Sequence, residues 1–213
     1  MYALSLGLGA GIMLAASSFS LLLPALSLST KAFGGLPGII LVGVSFFGGS
    51  LFIQMIDRFA PHEHFIKGKE GSSKTLKRIW LFVIAITIHN FPEGMAVGVG
   101  LGDTALTAGI ALQNIPEGMI VALSLVGEDY SKTKAFVIAS ITGLIEPVGG
   151  IFGAIFASLG QSILPAALTF AAGSMIYVIG HEVIPESHRK GVEKFATNGL
   201  LAGFLIMSFM ALI

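Results

Sequence analysis

The feature that most constrains this chain is its division into apolar runs of about 20 residues, the length a helix needs to cross a bilayer. Cutting the sequence at its polar gaps gives seven candidate spans: roughly 2–28, 36–56, 79–101, 104–127, 135–158, 162–184 and 196–213. Of 213 residues, 54% are hydrophobic and only 11% charged, a balance foreign to a soluble domain. The expected fold class is therefore all-α, a polytopic transmembrane helix bundle forming one domain over residues 1–213. The longest polar gap, 57–78, carries Gly, Ser and Lys and reads as a flexible loop. The opening run lacks a basic leader and is too long for a signal peptide, so it reads as a span. The chain has no cysteine, which excludes disulfides and thiolate metal sites.

Basic residues fix an expected orientation. Simple alternation puts the gaps after spans two, four and six on one side, and these hold every one of the 12 Lys and Arg except Lys31. By the positive-inside rule that side is the cytoplasm, with the N-terminus inside and the C-terminus outside.

At about 1.5 Å of rise per residue, Glu93, Glu117 and Glu146 all fall near mid-span, at one level of the membrane. An acidic residue at a helix centre costs roughly 2.5 to 3.5 kcal/mol, so three unpaired carboxylates would cost on the order of 8 to 10 kcal/mol. No Lys or Arg lies at that depth. The compensating charge must come from outside the chain, as protons or as a bound cation.

Two near-copies of one motif surround these carboxylates: "HNFPEG" at 89–94 and "QNIPEG" at 113–118. On a helix His89, Asn90 and Glu93 share one side, and Gln113, Asn114 and Glu117 repeat the arrangement on the next span. Imidazole with carboxylate and amide oxygens suits Zn²⁺, Fe²⁺, Mn²⁺ or similar divalent ions. Pro92 and Pro116 each remove a backbone hydrogen bond, which predicts kinks that free the carbonyls of Ile88 and Leu112.

The series "HNFPEGMAVGVG", "QNIPEGMIVALSL", "EPVGG" and "HEVIPESHRKG" resembles the ZIP (Zrt/Irt-like) family of divalent metal transporters, in its prokaryotic branch. The resemblance covers nearly the whole chain. It implies a transporter, not an enzyme, in the bacterial cytoplasmic membrane, taking metal into the cytoplasm through a binuclear site. The ions, Zn²⁺ foremost and Cd²⁺, Fe²⁺ or Mn²⁺ besides, are cargo, and no prosthetic group is expected. Carried over, the ligands are His89, Asn90, Glu93, Gln113, Asn114, Glu117 and Glu146, with Met13 of the first span approaching the site and Ser17 and Ser20 facing the same way. Many relatives have His or Asp where Gln113 and Asn114 stand. The family pattern also has eight spans, so the seven here lack a counterpart of the first.

His181, Glu182, Glu186 and His188, at the cytoplasmic end of span six, are by the same resemblance a metal exit route, joined by Asp57, His62 and His64 of the loop region. The first cluster is not a zinc-protease H-E-x-x-H motif, because Pro185 stands four after His181. Small-xxx-small pairs such as Gly7 and Gly11, Gly94 and Gly98, and Gly149 and Gly153 suit close helix packing, including a homodimer interface. Expected partners are the ion and the lipid bilayer, with no nucleic acid. The competing functions are a proton or monovalent-ion pathway through the same glutamates, and a membrane-embedded metallohydrolase.

Overall fold

The computed structural model describes residues 2–59, 62–64, 68–70, 78–188 and 191–212. Its first span is continuous from α1 (Tyr2–Ala15) through a π-helical segment (Ala16–Leu22) into α2 (Leu23–Phe33). Gly34, at φ +84°, turns the chain into α3 (Gly35–Phe59). A small antiparallel hairpin follows, β1 (His62–His64) with β2 (Gly68–Glu70), in the gap the sequence marks as a loop. Then come α4 (Arg78–Val99), α5 (Thr104–Gly127), α6 (Lys132–Thr142), α7 (Ile145–Ser158), α8 (Leu164–Val178), a second π-helical segment (Ile179–Val183), α9 (Ile184–Ser187) and α10 (Glu193–Met210).

Six of these stretches are long and apolar enough to cross a membrane: Ala3–Phe33, Gly35–Arg58, Ile79–Val99, Thr104–Gly127, Lys132–Ser158 and Leu164–Ser187. The expected seventh span is α10, whose first turn carries Glu193 and Lys194. The chain is an all-α integral membrane protein. Spans one, α4 and α8 are the inner helices, 67–72% buried, whereas α3 and the α6–α7 span are only 17% buried and turn apolar faces outward.

Proline explains the irregular turns. It cannot donate a backbone hydrogen bond, and its ring crowds the carbonyl four residues back. Just before Pro24 and Pro185 the helix widens instead, and Leu23 N–H reaches Ser18 O while Ile184 N–H reaches Ile179 O, both five residues back. Upstream of Pro147 the span breaks outright, between α6 and α7. The kinks expected at Pro92 and Pro116 interrupt nothing: α4 and α5 run helical through both.

Three helix pairs, α1 with α10, α3 with α8 and α4 with α7, make the closest packing. Each obeys one reciprocal rule: a glycine lies against a partner carbonyl, and the partner's glycine three residues on lies against the carbonyl three residues before the first. Gly94 meets Glu146 O while Gly149 meets Phe91 O; Gly11 meets Leu200 O while Gly203 meets Leu8 O; Gly49 meets Phe170 O while Gly173 meets Phe46 O. Going from Gly94 to Gly98 the contact moves from Glu146 to Gly150, and from Gly7 to Gly11 it moves from Ala196 to Leu200, so α4–α7 and α1–α10 are parallel, as simple alternation of the spans requires. A Cβ at these glycines would collide with backbone. The glycine stripes at 7 and 11, 94 and 98, and 149 and 153 are thus covered inside the chain.

Candidate metal site

The two motifs and the broken span bring their polar side chains together inside the bundle. Gly94 packs on Glu146, which seats α4 and α7 side by side, and Glu93, the residue before it, is wholly buried. Gln113 Nε2 donates to Glu93 Oε2 at 2.5 Å and to Asn114 Oδ1 at 2.5 Å. Asn114 Nδ2 donates to both oxygens of Glu146, at 3.0 and 2.9 Å. Asn90 Nδ2 donates to Thr142 O at 3.0 Å, satisfying a carbonyl at the end of α6 where the helix stops. Glu93 Oε1 is buried without a hydrogen-bond partner, a costly state for a carboxylate oxygen unless a cation or proton reaches it.

His89, buried on the same helix, pairs through Nε2 with Glu182 Oε2. The resemblance puts Glu182 in an exit route; here it stands against the first motif itself, carried inward by the π turn ahead of Pro185. Glu186, one turn on, lines a cavity of about 40 Å³ together with His89, Gln113, Glu117 and Glu182. That volume admits an ion with a water or two. The other walls of the cavity, including Ser5, Leu6, Gly9, Phe82 and Ile120, belong to the halves of their helices nearer the basic connections. The cavity therefore leads from the centre toward the end of the bundle where the Lys and Arg collect. A second, wider groove of about 320 Å³ between α5 and α6 exposes Asn114, Glu117 and Glu146 along its floor.

On the far side of the centre the core is apolar, and a cleft of about 260 Å³ lined by Val97, Thr107, Ile110 and Gly150 reaches Asn114 and Glu146 from that side. Met13, Met95, Val99, Leu106, Ile110, Ala171 and Met175 form one cluster, each at most 5% exposed. Gly9 lies against Gln113, so Met13 stands one turn beyond it, at the rim of this cluster. Ser17 donates to Met13 O, and Ser20 is buried with its hydroxyl unpartnered.

The remaining expected residues sit apart. His181 stacks on Tyr177, centroids 4.9 Å apart, and His188 bonds with Ser187, Ile184 O and Thr197. Asp57 is buried near the end of α3. His62 and His64 lie on β1, and their side chains fall outside the described residues. Among the described residues no three His, Cys, Asp or Glu side chains stand close enough to cage an ion on their own. A cation at this centre would therefore draw on amide oxygen, thioether or water besides carboxylate and imidazole.

The fold and its interior define an integral membrane protein with a buried acidic centre. Residues 64–211 match the family model described as ZIP Zinc transporter, and the chain belongs to that family. It is 44% identical over 197 residues to the zinc transporter GufA of Myxococcus xanthus, covering 89% of this chain and 78% of that one. It is also 44% identical over 213 residues to the zinc transporter ZIPB of Bordetella bronchiseptica, covering 96% and 69%. Zinc transporter ZupT of Streptococcus mutans is 35% identical over 223 residues, covering 98% and 84%.

Proposed function

We propose that this protein carries Zn²⁺ through the bilayer toward its basic end, which faces the cytoplasm, by way of the centre built on His89, Glu93, Gln113 and Glu117. The observation that carries this reading is Glu93: a buried carboxylate with one oxygen held by Gln113 and the other without a partner, in a bundle with no Lys or Arg at that depth. A divalent cation supplies the missing charge, and carboxylate, imidazole and amide oxygen replace its lost water. Glu182, paired with His89, and Glu186 beyond it give the ion successive anionic stops on the cytoplasmic side. The apolar cluster around Met13 holds back leakage from the other face, so passage requires the helices to shift and open that side in turn.

Zn²⁺ is favoured over Cd²⁺, Fe²⁺ and Mn²⁺ by the imidazole among the oxygens and by the names of the relatives. The test is ion flux into proteoliposomes loaded with a zinc-sensitive dye, with the four ions offered separately. Zn²⁺ should enter fastest. Conductance of protons or Na⁺ that persists at full rate after exhaustive chelation, with no metal uptake, would replace this reading by the monovalent pathway.

A further inference from the structure

Of the polar side chains at the centre, Asn114 is the one whose amide is engaged at both ends. Its Oδ1 accepts from Gln113, and its Nδ2 donates to both oxygens of Glu146. Gln113 spends its second hydrogen on Glu93. The result is an unbroken run from Glu93 through Gln113 and Asn114 to Glu146, in which every donor faces an acceptor. Turned round, Asn114 would set its oxygen against a carboxylate and its NH₂ against that of Gln113, so the chemistry fixes the direction. A carboxamide ligates a cation of this class through its oxygen, and Gln113 already occupies one of that oxygen's two lone pairs and holds it turned away from Glu146. The equivalent residue of the first motif behaves alike: Asn90 also spends its NH₂ on the broken span, at Thr142 O, four residues ahead of Glu146.

We infer, resting on the zinc reading above, that Asn114 is a positioning residue and not an ion ligand. It clamps Glu146 to Gln113 and keeps that carboxylate and its own oxygen out of the ion's ligand shell. The chain then holds one ion, on the side of His89, Glu93 and Glu117, where the family resemblance implies two. Asn114→Asp replaces the donor by an acceptor and sets two carboxylates against each other, an arrangement that recruits a cation.

The experiment counts zinc bound per chain by equilibrium dialysis of the full chain in detergent micelles, with Zn²⁺ alone as probe. The expected result is one ion for the native protein, no loss of affinity for that ion in Asn114→Ala (Kd no more than about threefold weaker), and two ions for Asn114→Asp. The gain in Asn114→Asp is counted only with the helical circular dichroism of the native protein retained, because an unfolded chain exposes His and carboxylates that bind Zn²⁺; with the fold intact it separates this role from a merely structural one. In the same series, uptake by the Asn114→Ala, Glu146→Gln double variant should equal that of Glu146→Gln alone, because Asn114 acts through Glu146. Two ions on the native protein, a tenfold or greater loss of affinity in Asn114→Ala, additive losses in the double variant, or a single ion on well-folded Asn114→Asp would each overturn the clamp. A native protein that binds no zinc at all would overturn the zinc reading itself, and the clamp with it.

Discussion

Gly94 and Gly118 close the two copies of the repeated motif, yet the structure gives them opposite surroundings. A Cβ built on Gly94 would stand 2.6 Å from both Cα and the carbonyl carbon of Glu146, whereas one on Gly118 meets nothing within 4 Å. The nearest atom, Glu146 O, would stand closer still, so to restore ordinary contact distances of ~3.2–3.5 Å α4 and α7 must part by roughly 1 Å or more in Gly94→Ala. Overpacking of this kind costs about 1–3 kcal/mol. The same shift stretches the 3.0 Å bond from Asn90 to Thr142 O and draws Glu93 away from Glu146. Misplacement of polar groups by about 1 Å can cost as much as a hundredfold in rate, so zinc uptake by Gly94→Ala should fall on the order of ten- to a hundredfold. Gly118→Ala should transport like the native protein and be more stable by up to about 1 kcal/mol, because alanine loses less backbone entropy in a helix. The assay is the initial rate of zinc uptake in proteoliposomes at matched insertion, with thermal unfolding in detergent alongside. Equal behaviour of the two variants would refute the packing argument.

Three further outcomes follow from the structure. Zinc affinity should weaken as pH falls from 8 to 5, because carboxylates and His89 must shed protons to ligate and the ordinary histidine pKa is about 6.5; a flat profile in a binding titration would exclude this ligand set. Asp103 caps α5 by accepting from Leu106 N–H at 2.9 Å, so Asp103→Ala should cost about 1 kcal/mol in thermal unfolding and leave zinc affinity unchanged. Trp80 Nε1 donates to Tyr130 OH at 3.1 Å, tying the start of α4 to the turn ahead of α6, so Trp80→Phe should lower stability by about 0.5–1.5 kcal/mol, again without effect on affinity.

The spans and the depth of the three glutamates were legible because both follow from hydropathy and helical rise, which are local properties of the sequence. The convergence of Glu93, Gln113, Asn114 and Glu146 was legible for the same reason: each lies at mid-span, and the repeated motif sets their faces. What the sequence left hidden depends on how backbone and partner meet. The seating of Glu182 against His89 arises from a π turn, and the signal was Pro185, which reads equally well as an ordinary helix stop. The break before Glu146 had a comparable sign in Gly143 and Pro147, but within an apolar run of full length the hydropathy does not dip. The reciprocal glycine register was half visible as small-xxx-small spacing. Spacing on one helix carries no record of which partner covers it, and only the paired positions reveal that Gly94 and Gly118 differ.

Carriage of the ion by carboxylates at mid-depth is tested by removing their charge. The most direct measurement is zinc uptake into proteoliposomes by the native protein and by the Glu93→Gln, Glu117→Gln double variant, at matched insertion and with the fold checked by circular dichroism. Saturable uptake is expected from the native protein and none above the protein-free background from the variant, whose neutral amides keep the shape of the site while removing its charge. Uptake by the variant at the native rate would contradict carriage by these carboxylates.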